Sequence, residues 1–270
     1  MQRASSRSGG KRIVKRLEPL GEKLRRRLSG RRAFVFLDFD GTLAPIVSMP
    51  HRARANERVM RAITALAALP RARVAVMSGR PLSFVRQRFL ARGLFHVGNH
   101  GLEMRGPGVT FRHKGAAVIR PTFQALAEKA KATLAGFPGV LIENKGLTMS
   151  VHFRRLPMSF RRRFNRSLAA FRLGTAAFPI RWRRGKKVWE ALPRVNWNKG
   201  RALTELLRRT GTAVPVAVGD DVTDEDMFQA VGRKGVSVRI GKSGTSRAMY
   251  YLPRQEDVPR FLTLLTEVLK

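Results

Sequence analysis

The chain has no cysteine in its 270 residues and only two tyrosines. Lack of cysteine excludes disulfides, a thiolate nucleophile, iron–sulfur clusters and Cys-ligated zinc, so any metal must be held by oxygen or imidazole. No apolar run reaches the ~18 residues needed to cross a bilayer, and the first 32 residues lack the apolar stretch of a secretory signal. A soluble, cytoplasmic protein with no membrane span is expected. Acidic residues are also scarce: 18 Asp and Glu stand against 54 Lys and Arg, a formal charge of +36. Arginine outnumbers lysine about three to one, and basic residues occur throughout, as in Arg161-Arg162-Arg163, rather than in one patch. Such a charge suits a solvated surface, attraction of anionic substrates, or sequence-independent nucleic-acid binding. Hydrophobic residues make up 43%, enough for a packed core in one large domain or two modest ones.

Because acids are few, their placement is informative. Six of the seven aspartates fall in two clusters, Asp38/Asp40 and Asp220/Asp221/Asp224/Asp226. Packing like charges together is costly unless a cation neutralises them, and a bound divalent metal is the obvious one.

Residues 1–32 read as a basic leader with a short helix near 19–28; an Arg-rich, acid-poor start also suits an organelle transit peptide. No catalytic motif precedes residue 33, so the leader is expected to be dispensable for chemistry. The apolar run at 33–37 predicts a strand buried on both faces of a parallel sheet. A helix at 57–69, a strand at 74–77, a helix to about 91, a strand within 95–101 that ends in a Gly-flanked turn, and a hairpin through 106–108 continue the α/β pattern. Between 114 and 193 the pattern becomes α-β-β twice over: a helix near 118–135, strands at 140–144 and 148–153, a helix near 157–171, and strands at 179–182 and 187–192. The α/β order then resumes with a helix at 199–209, strands at 214–218 and 235–239, and a helix at 258–269. The fold class expected is α/β: a Rossmann-like parallel-sheet core, residues 33–113 and 194–270, with an inserted α+β cap at 114–193.

Asp38 and Asp40 end the first buried strand, at the carboxyl edge where open α/β sheets bind ligands. Gly41 frees the backbone there and Thr42 adds a hydroxyl. An EF-hand is excluded because Met49 stands where the closing Glu would be. The pair could bind a metal or divide nucleophile and acid/base roles. If the 214–218 strand lies beside the first, Asp220 completes an oxygen site suited to Mg²⁺. Asp224 to Asp226 open a helix and have a capping role available as well. Ser78-Gly79-Arg80 offers a hydroxyl and backbone N–H groups to an anion, and Lys199 opens the helix after the insertion.

The order strand-DxDGT, strand-S, insertion, K, strand-GDDxxD resembles the haloacid dehalogenase superfamily of phosphohydrolases. DFDGTLAPI (38–46), SGR (78–80), GNHG (98–101), ENKG (143–146), SVHFR (150–154), GKKVWEALP (185–193), NKG (198–200) and GDDVTDEDMF (219–228) narrow the resemblance to the trehalose-6-phosphate phosphatases. It covers roughly residues 33–255. The resemblance implies that Asp38 is the nucleophile and Asp40 the acid and base. It further implies Mg²⁺ held by Asp38, the Asp40 carbonyl and Asp220, with Asp224 ordering the metal shell or Lys199. Ser78 and Lys199 would hold the phosphoryl oxygens, with Thr42 and Arg80 also binding substrate. Glu143, Lys145, Lys186 and Glu190 would contact sugar hydroxyls from the cap, and Asn99 and His100 would approach from the core. A sugar phosphate is the implied substrate, and the synthase that makes trehalose 6-phosphate the implied functional partner.

Ser150, His152 and Arg154 alternate along one strand and so share a face, either sugar-binding or simply the polar side of the cap sheet. His51, His96 and His113 have no ligand-like spacing. Trp182, Trp189 and Trp197 suit packing better than sugar stacking. The charge and basic leader depart from what such a mechanism needs. Two rival readings stand beside it: a capped phosphatase for another sugar phosphate, such as sucrose phosphate or mannosyl phosphoglycerate, and a basic nucleic-acid-binding module on an inactive phosphatase fold.

Overall fold

The computed structural model describes residues 15–16, 20–47 and 49–270; residues 1–14 and 17–19 of the leader lie outside the described residues. The larger sheet contains β1 (Lys15–Arg16), β2 (Ala33–Asp38), β3 (Ala72–Met77), β4 (Phe95–Gly98), β5 (Glu103–Gly106) and β6 (Val109–Arg112). The smaller sheet follows with β7 (Leu141–Asn144), β8 (Met149–His152), β9 (Ile180–Gly185) and β10 (Val188–Pro193). The chain then returns to the larger sheet with β11 (Val214–Gly219), β12 (Val236–Ile240) and β13 (Tyr250–Leu252). Strand order in the larger sheet is β1-β13-β12-β11-β2-β3-β4-β5-β6. It is parallel from β1 through β4, and only the pairings of β5 with β4 and with β6 are antiparallel, so β5 alone is reversed.

Every residue of β2 is buried because helices cover both faces of this sheet. Val35 and Leu37 point into one layer with α1 (Leu20–Leu28), α2 (Glu57–Ala67), α3 (Leu82–Arg88) and α9 (Val258–Leu269). Phe34 and Phe36 point into the other, against α7 (Lys199–Thr210) and α8 (Glu225–Val231). In α1, Leu24 and Leu28 are fully buried and Arg27 donates 2.6 Å to the Gly235 carbonyl. The helical part of the leader therefore belongs to the core, which the sequence reading did not anticipate.

The smaller sheet has order β7-β8-β10-β9, all antiparallel, and packs one face on α5 (Arg120–Leu134) and α6 (Arg161–Leu173). The helix expected near 118–135 is α5, and a short additional helix, α4 (Lys114–Val118), precedes it, the two parted at Ile119, whose backbone lies outside the helical region. β9 runs three residues past the expected 182, because the alternation Arg181-Trp182-Arg183-Arg184 pairs in register with β10. β1 and β13 have no counterpart in the sequence reading.

Candidate active site

β2 lies between β3 and β11, so the carboxyl ends of these three strands bring Asp38, Ser78 and Asp220 to one edge. Asn198 accepts the Arg201 N–H at 2.9 Å and starts α7 at Lys199, whose ammonium enters the same edge. A side chain at Gly200 would strike the Asp226 carbonyl, and one at Gly41, which has φ of 92°, would strike the Asp220 carboxylate. Glycine at both positions allows α7, α8 and the 38–44 turn to close on one another.

Lys199 Nζ donates to Asp38 Oδ1 at 2.5 Å and to Asp224 Oδ1 at 2.7 Å, all three groups buried. The other Asp224 oxygen accepts the backbone N–H groups of Asp220 and Asp221, at 2.9 and 3.0 Å. Asp224 is thus fully engaged within the protein and orients Lys199 and the Asp220 loop. The second Asp38 oxygen has no hydrogen-bond donor among the described residues, and Asp220 has only Thr42 Oγ1 at 3.4 Å.

Oxygens of Asp38, Asp220 and Asp224 lie within 4.8 Å of one another. Burial, together with neighbouring Asp224, pushes the Asp38 carboxyl well above the ordinary carboxylate range. Burial, with Asp224 and Asp221, pushes Asp220 up to about 7. Burial opposes charge on Lys199, but Asp224 and Asp38 outweigh it and hold the ammonium protonated. Three carboxylates around one ammonium leave surplus negative charge, and the donor set is all oxygen. These residues therefore fit a small hard divalent cation such as Mg²⁺, with Asp38 and Asp220 offering the free oxygens.

Asp40 is not part of that trio; its carboxylate is gripped by Arg80. Ser78 is buried, and its Oγ accepts the Arg80 N–H at 3.0 Å, fixing the turn that carries the guanidinium. Thr42 is also fully buried, its hydroxyl facing Asp220 and its carbonyl accepting from Gln255, so it supports the site from behind.

Above this edge stands the polar face of the smaller sheet. Glu143, Ser150, Glu190 and Arg183 occur in register across β7, β8, β10 and β9. Glu190 accepts from Arg183 at 2.6 Å and Lys145 at 3.3 Å, and His100 Nε2 lies 3.2 Å away. Burial works to raise the Glu190 carboxyl, but His100, Lys145 and Arg183 hold it well below its usual range. His100 is pulled down to about 4 by burial and by Arg183, against the pull of Glu190, so it is neutral at pH 7. Glu143 accepts from His152 at 2.8 Å; despite burial, His152 and Lys145 bring its carboxyl down to about 2.

Asp38, Asp40, Arg80, His100, Lys145, Lys186, Glu190, Lys199 and Asp220 all border one cleft of about 1010 Å³. Asn99 does not reach it: fully buried, it accepts from Thr148 Oγ1 at 2.8 Å and donates to Glu103 and the Lys145 carbonyl. It ties the two sheets together instead. Glu143 does not border the cleft directly but orients His152, which does. Arg183 was missed, and the signal available was its alternation with Arg181 opposite a Glu-containing strand. Trp197 packs on Phe111 and donates to the Gly101 carbonyl, a structural role.

The trehalose-phosphatase family model matches residues 36–255. The chain belongs to that family. It is 37% identical over 219 residues to the trehalose-phosphate phosphatase of Mycobacterium tuberculosis H37Rv, covering 79% of this chain and 55% of that protein. Identity to the Mycolicibacterium paratuberculosis trehalose-phosphate phosphatase is 39% over 210 residues, 76% of this chain and 52% of that protein. The chain thus spans about half the length of these curated relatives. The C-terminal domain of Candida albicans trehalose-6-phosphate phosphatase superposes with a TM-score of 0.78 at 23% identity, covering 94% of this chain and 98% of that one, and so shares its fold. An Aspergillus fumigatus trehalose-6-phosphate phosphatase structure is 27% identical with a TM-score of 0.59, covering 94% of this chain and 100% of that one. Among the described residues, no helix of this trehalose-phosphatase family member is long and apolar enough to cross a membrane.

Proposed function

We propose that the chain hydrolyses trehalose 6-phosphate to trehalose and phosphate. Asp38, held by Lys199 with one oxygen free, attacks phosphorus, and the bond to the sugar oxygen breaks. Asp40 gives that oxygen a proton, then takes one from the water that cleaves the aspartyl phosphate, releasing phosphate and restoring Asp38. A magnesium ion held by Asp38 and Asp220 would supply the positive charge that lets a dianion approach an anionic nucleophile. Lys199 neutralises phosphoryl oxygens, and Arg80 holds and aims Asp40 for the leaving group. Residues 114–193 act as the cap that selects the sugar, over a core of 33–113 and 194–270, with Glu190, Arg183, Lys145 and Lys186 meeting hydroxyls. The disaccharide phosphate must come from a sugar-transferring synthase, its functional partner.

The observation that carries this reading is that Asp38 and Glu190 border the same cleft. Nucleophile and sugar-type contacts then lie in one space of the size small-ligand sites occupy. Phosphate release from trehalose 6-phosphate, sucrose 6-phosphate, mannosyl phosphoglycerate and an aryl phosphate, with Mg²⁺ or chelator, tests it. Turnover should be fastest on trehalose 6-phosphate and abolished by chelation. Preference for another sugar phosphate would move the substrate within the capped class, and absence of turnover on all four would sink the enzymatic reading.

A further inference from the structure

On the far face of the cap sheet, α6 leaves a small cavity of about 210 Å³. Arg161, Asn165, Leu168 and Arg172 line it from one stripe of α6, at helical spacing, opposite Arg184 and Trp189. The Cζ of Arg172 stands over the indole of Trp189, 3.6 Å from the ring centroid, and that of Arg161 over Phe153 at 5.6 Å. The aromatic faces hold both guanidiniums inward. The Nε atoms of Arg161 and Arg172 are both buried without a hydrogen-bond partner. Among the described residues no carboxylate forms an ion pair with Arg161, Arg172 or Arg184, and none lines the cavity. Burial alone lowers the Arg172 guanidinium from its ordinary value, since no acid offsets it.

Two buried N–H donors without acceptors are costly, and no acid balances the three guanidiniums that line the cavity. An anion with several oxygens offsets that unbalanced positive charge through the guanidinium groups that border the cavity. Guanidinium forks match a phosphate group best, because each can give two parallel hydrogen bonds to its oxygens. The cavity is too small for a nucleotide chain or a disaccharide phosphate. The geometry points to a second anion site, on the opposite face of the cap sheet from Glu190, where Arg161, Arg172 and Arg184 hold inorganic phosphate or the phosphate of a small metabolite.

Its place in the fold is specific. Trp189 and Arg184 pair across β10 and β9 and face this cavity, while the next registered pair, Glu190 and Arg183, faces the cleft. Arg184 borders both spaces. The site would exist whichever sugar phosphate the cleft accepts.

Titrating the full chain with inorganic phosphate at constant ionic strength should change indole emission saturably, because Arg172 rests on Trp189. Arg161→Gln leaves that reporter in place yet removes one fork, and the midpoint should rise at least about tenfold. Arg161→Lys keeps the charge without the fork and should fall between. A parallel titration with glycerol 3-phosphate separates the two sources: the lower midpoint identifies whether free phosphate or a phosphomonoester is the fitting ligand. Calorimetry with phosphate should show one binding event in Arg161→Gln weakened to the same degree relative to the unaltered chain. Identical midpoints, or identical calorimetric isotherms, in the two proteins would overturn the assignment.

Discussion

Arg80 holds Asp40 by two hydrogen bonds, from Nε to Oδ2 at 2.9 Å and from Nη2 to Oδ1 at 2.6 Å. The guanidinium is the more buried partner, with 11% of its side chain exposed against 34% for Asp40, so Arg80 is the fixed element and Asp40 the one able to turn toward a ligand. Arg80→Lys preserves charge but loses the bidentate geometry. Turnover of a sugar phosphate should fall roughly ten- to a hundredfold, because an alkoxide leaving group needs a well-aimed acid. An aryl phosphate, whose phenolate departs without that help, should lose much less. Equal losses on both would remove Arg80 from the aiming of Asp40.

Asp38→Asn keeps the size of the side chain and removes the nucleophile. Phosphate release should drop to background, while Lys199 keeps Asp224 as its partner. Since Asp38 is crowded by Asp224 and Asp220, the thermal midpoint should not fall. Near-normal turnover would exclude Asp38 as nucleophile.

Stability should respond to pH through Asp220. Its carboxyl is raised from 3.8 to about 7 in the folded chain. Between those values the folded state binds more protons than the unfolded one, so stability falls as pH rises through the window. Asp38, also raised, acts in the same direction. In chelator the melting temperature should therefore decline from pH 5.5 toward 7, a test range set about the cited window. Saturating Mg²⁺ should flatten that decline by replacing the proton with the cation. A slope indifferent to divalent ions would count against metal binding by this trio.

Arg183 faces Glu190 across β9 and β10 at 2.6 Å. Arg183→Ala should lower kcat/KM for a disaccharide phosphate by roughly ten- to a hundredfold, mainly through KM, as expected for loss of a charge-assisted contact. Aryl phosphate hydrolysis, which does not need the cap contacts, should hardly change. If both substrates suffer alike, Arg183 holds the cap together rather than reading the sugar.

Leu24 is 1% exposed and packs in the layer that contains α9. Leu24→Ala should destabilise the fold by about 2–5 kcal/mol, measurable by urea unfolding. A chain starting near residue 31 loses Leu24 and Leu28 together and should be less stable still, even though it keeps every catalytic motif. Unchanged unfolding midpoints in both would show that α1 is peripheral.

The sequence determined the candidate catalytic edge almost alone. Aspartates so rare and so clustered, each cluster following a wholly apolar strand, have few places to go except the carboxyl ends of a parallel sheet. Lys199 was legible for the same reason, since Asn198 marks a helix start that local chemistry suffices to set. Local pattern also gave the shared face of Ser150 and His152 in β8, though Arg154 lies past the end of that strand, and the repeated α-β-β order of 114–193.

What only the tertiary structure decided were contacts between residues far apart in the chain. Asp224 becomes an organiser rather than an obvious metal ligand because both of its oxygens are taken, one by Lys199 from α7. Asn99 is drawn away from the cleft by Thr148 and the Lys145 carbonyl, partners more than 40 positions along the chain. Arg183 is selected from a run of arginines only by its register with Glu190, and Arg161 and Arg172 acquire meaning only once α6 settles against Trp189. Local sequence fixes which atoms a residue offers and which way its own element turns it; the partner comes from another element, so only the packing of elements reveals it.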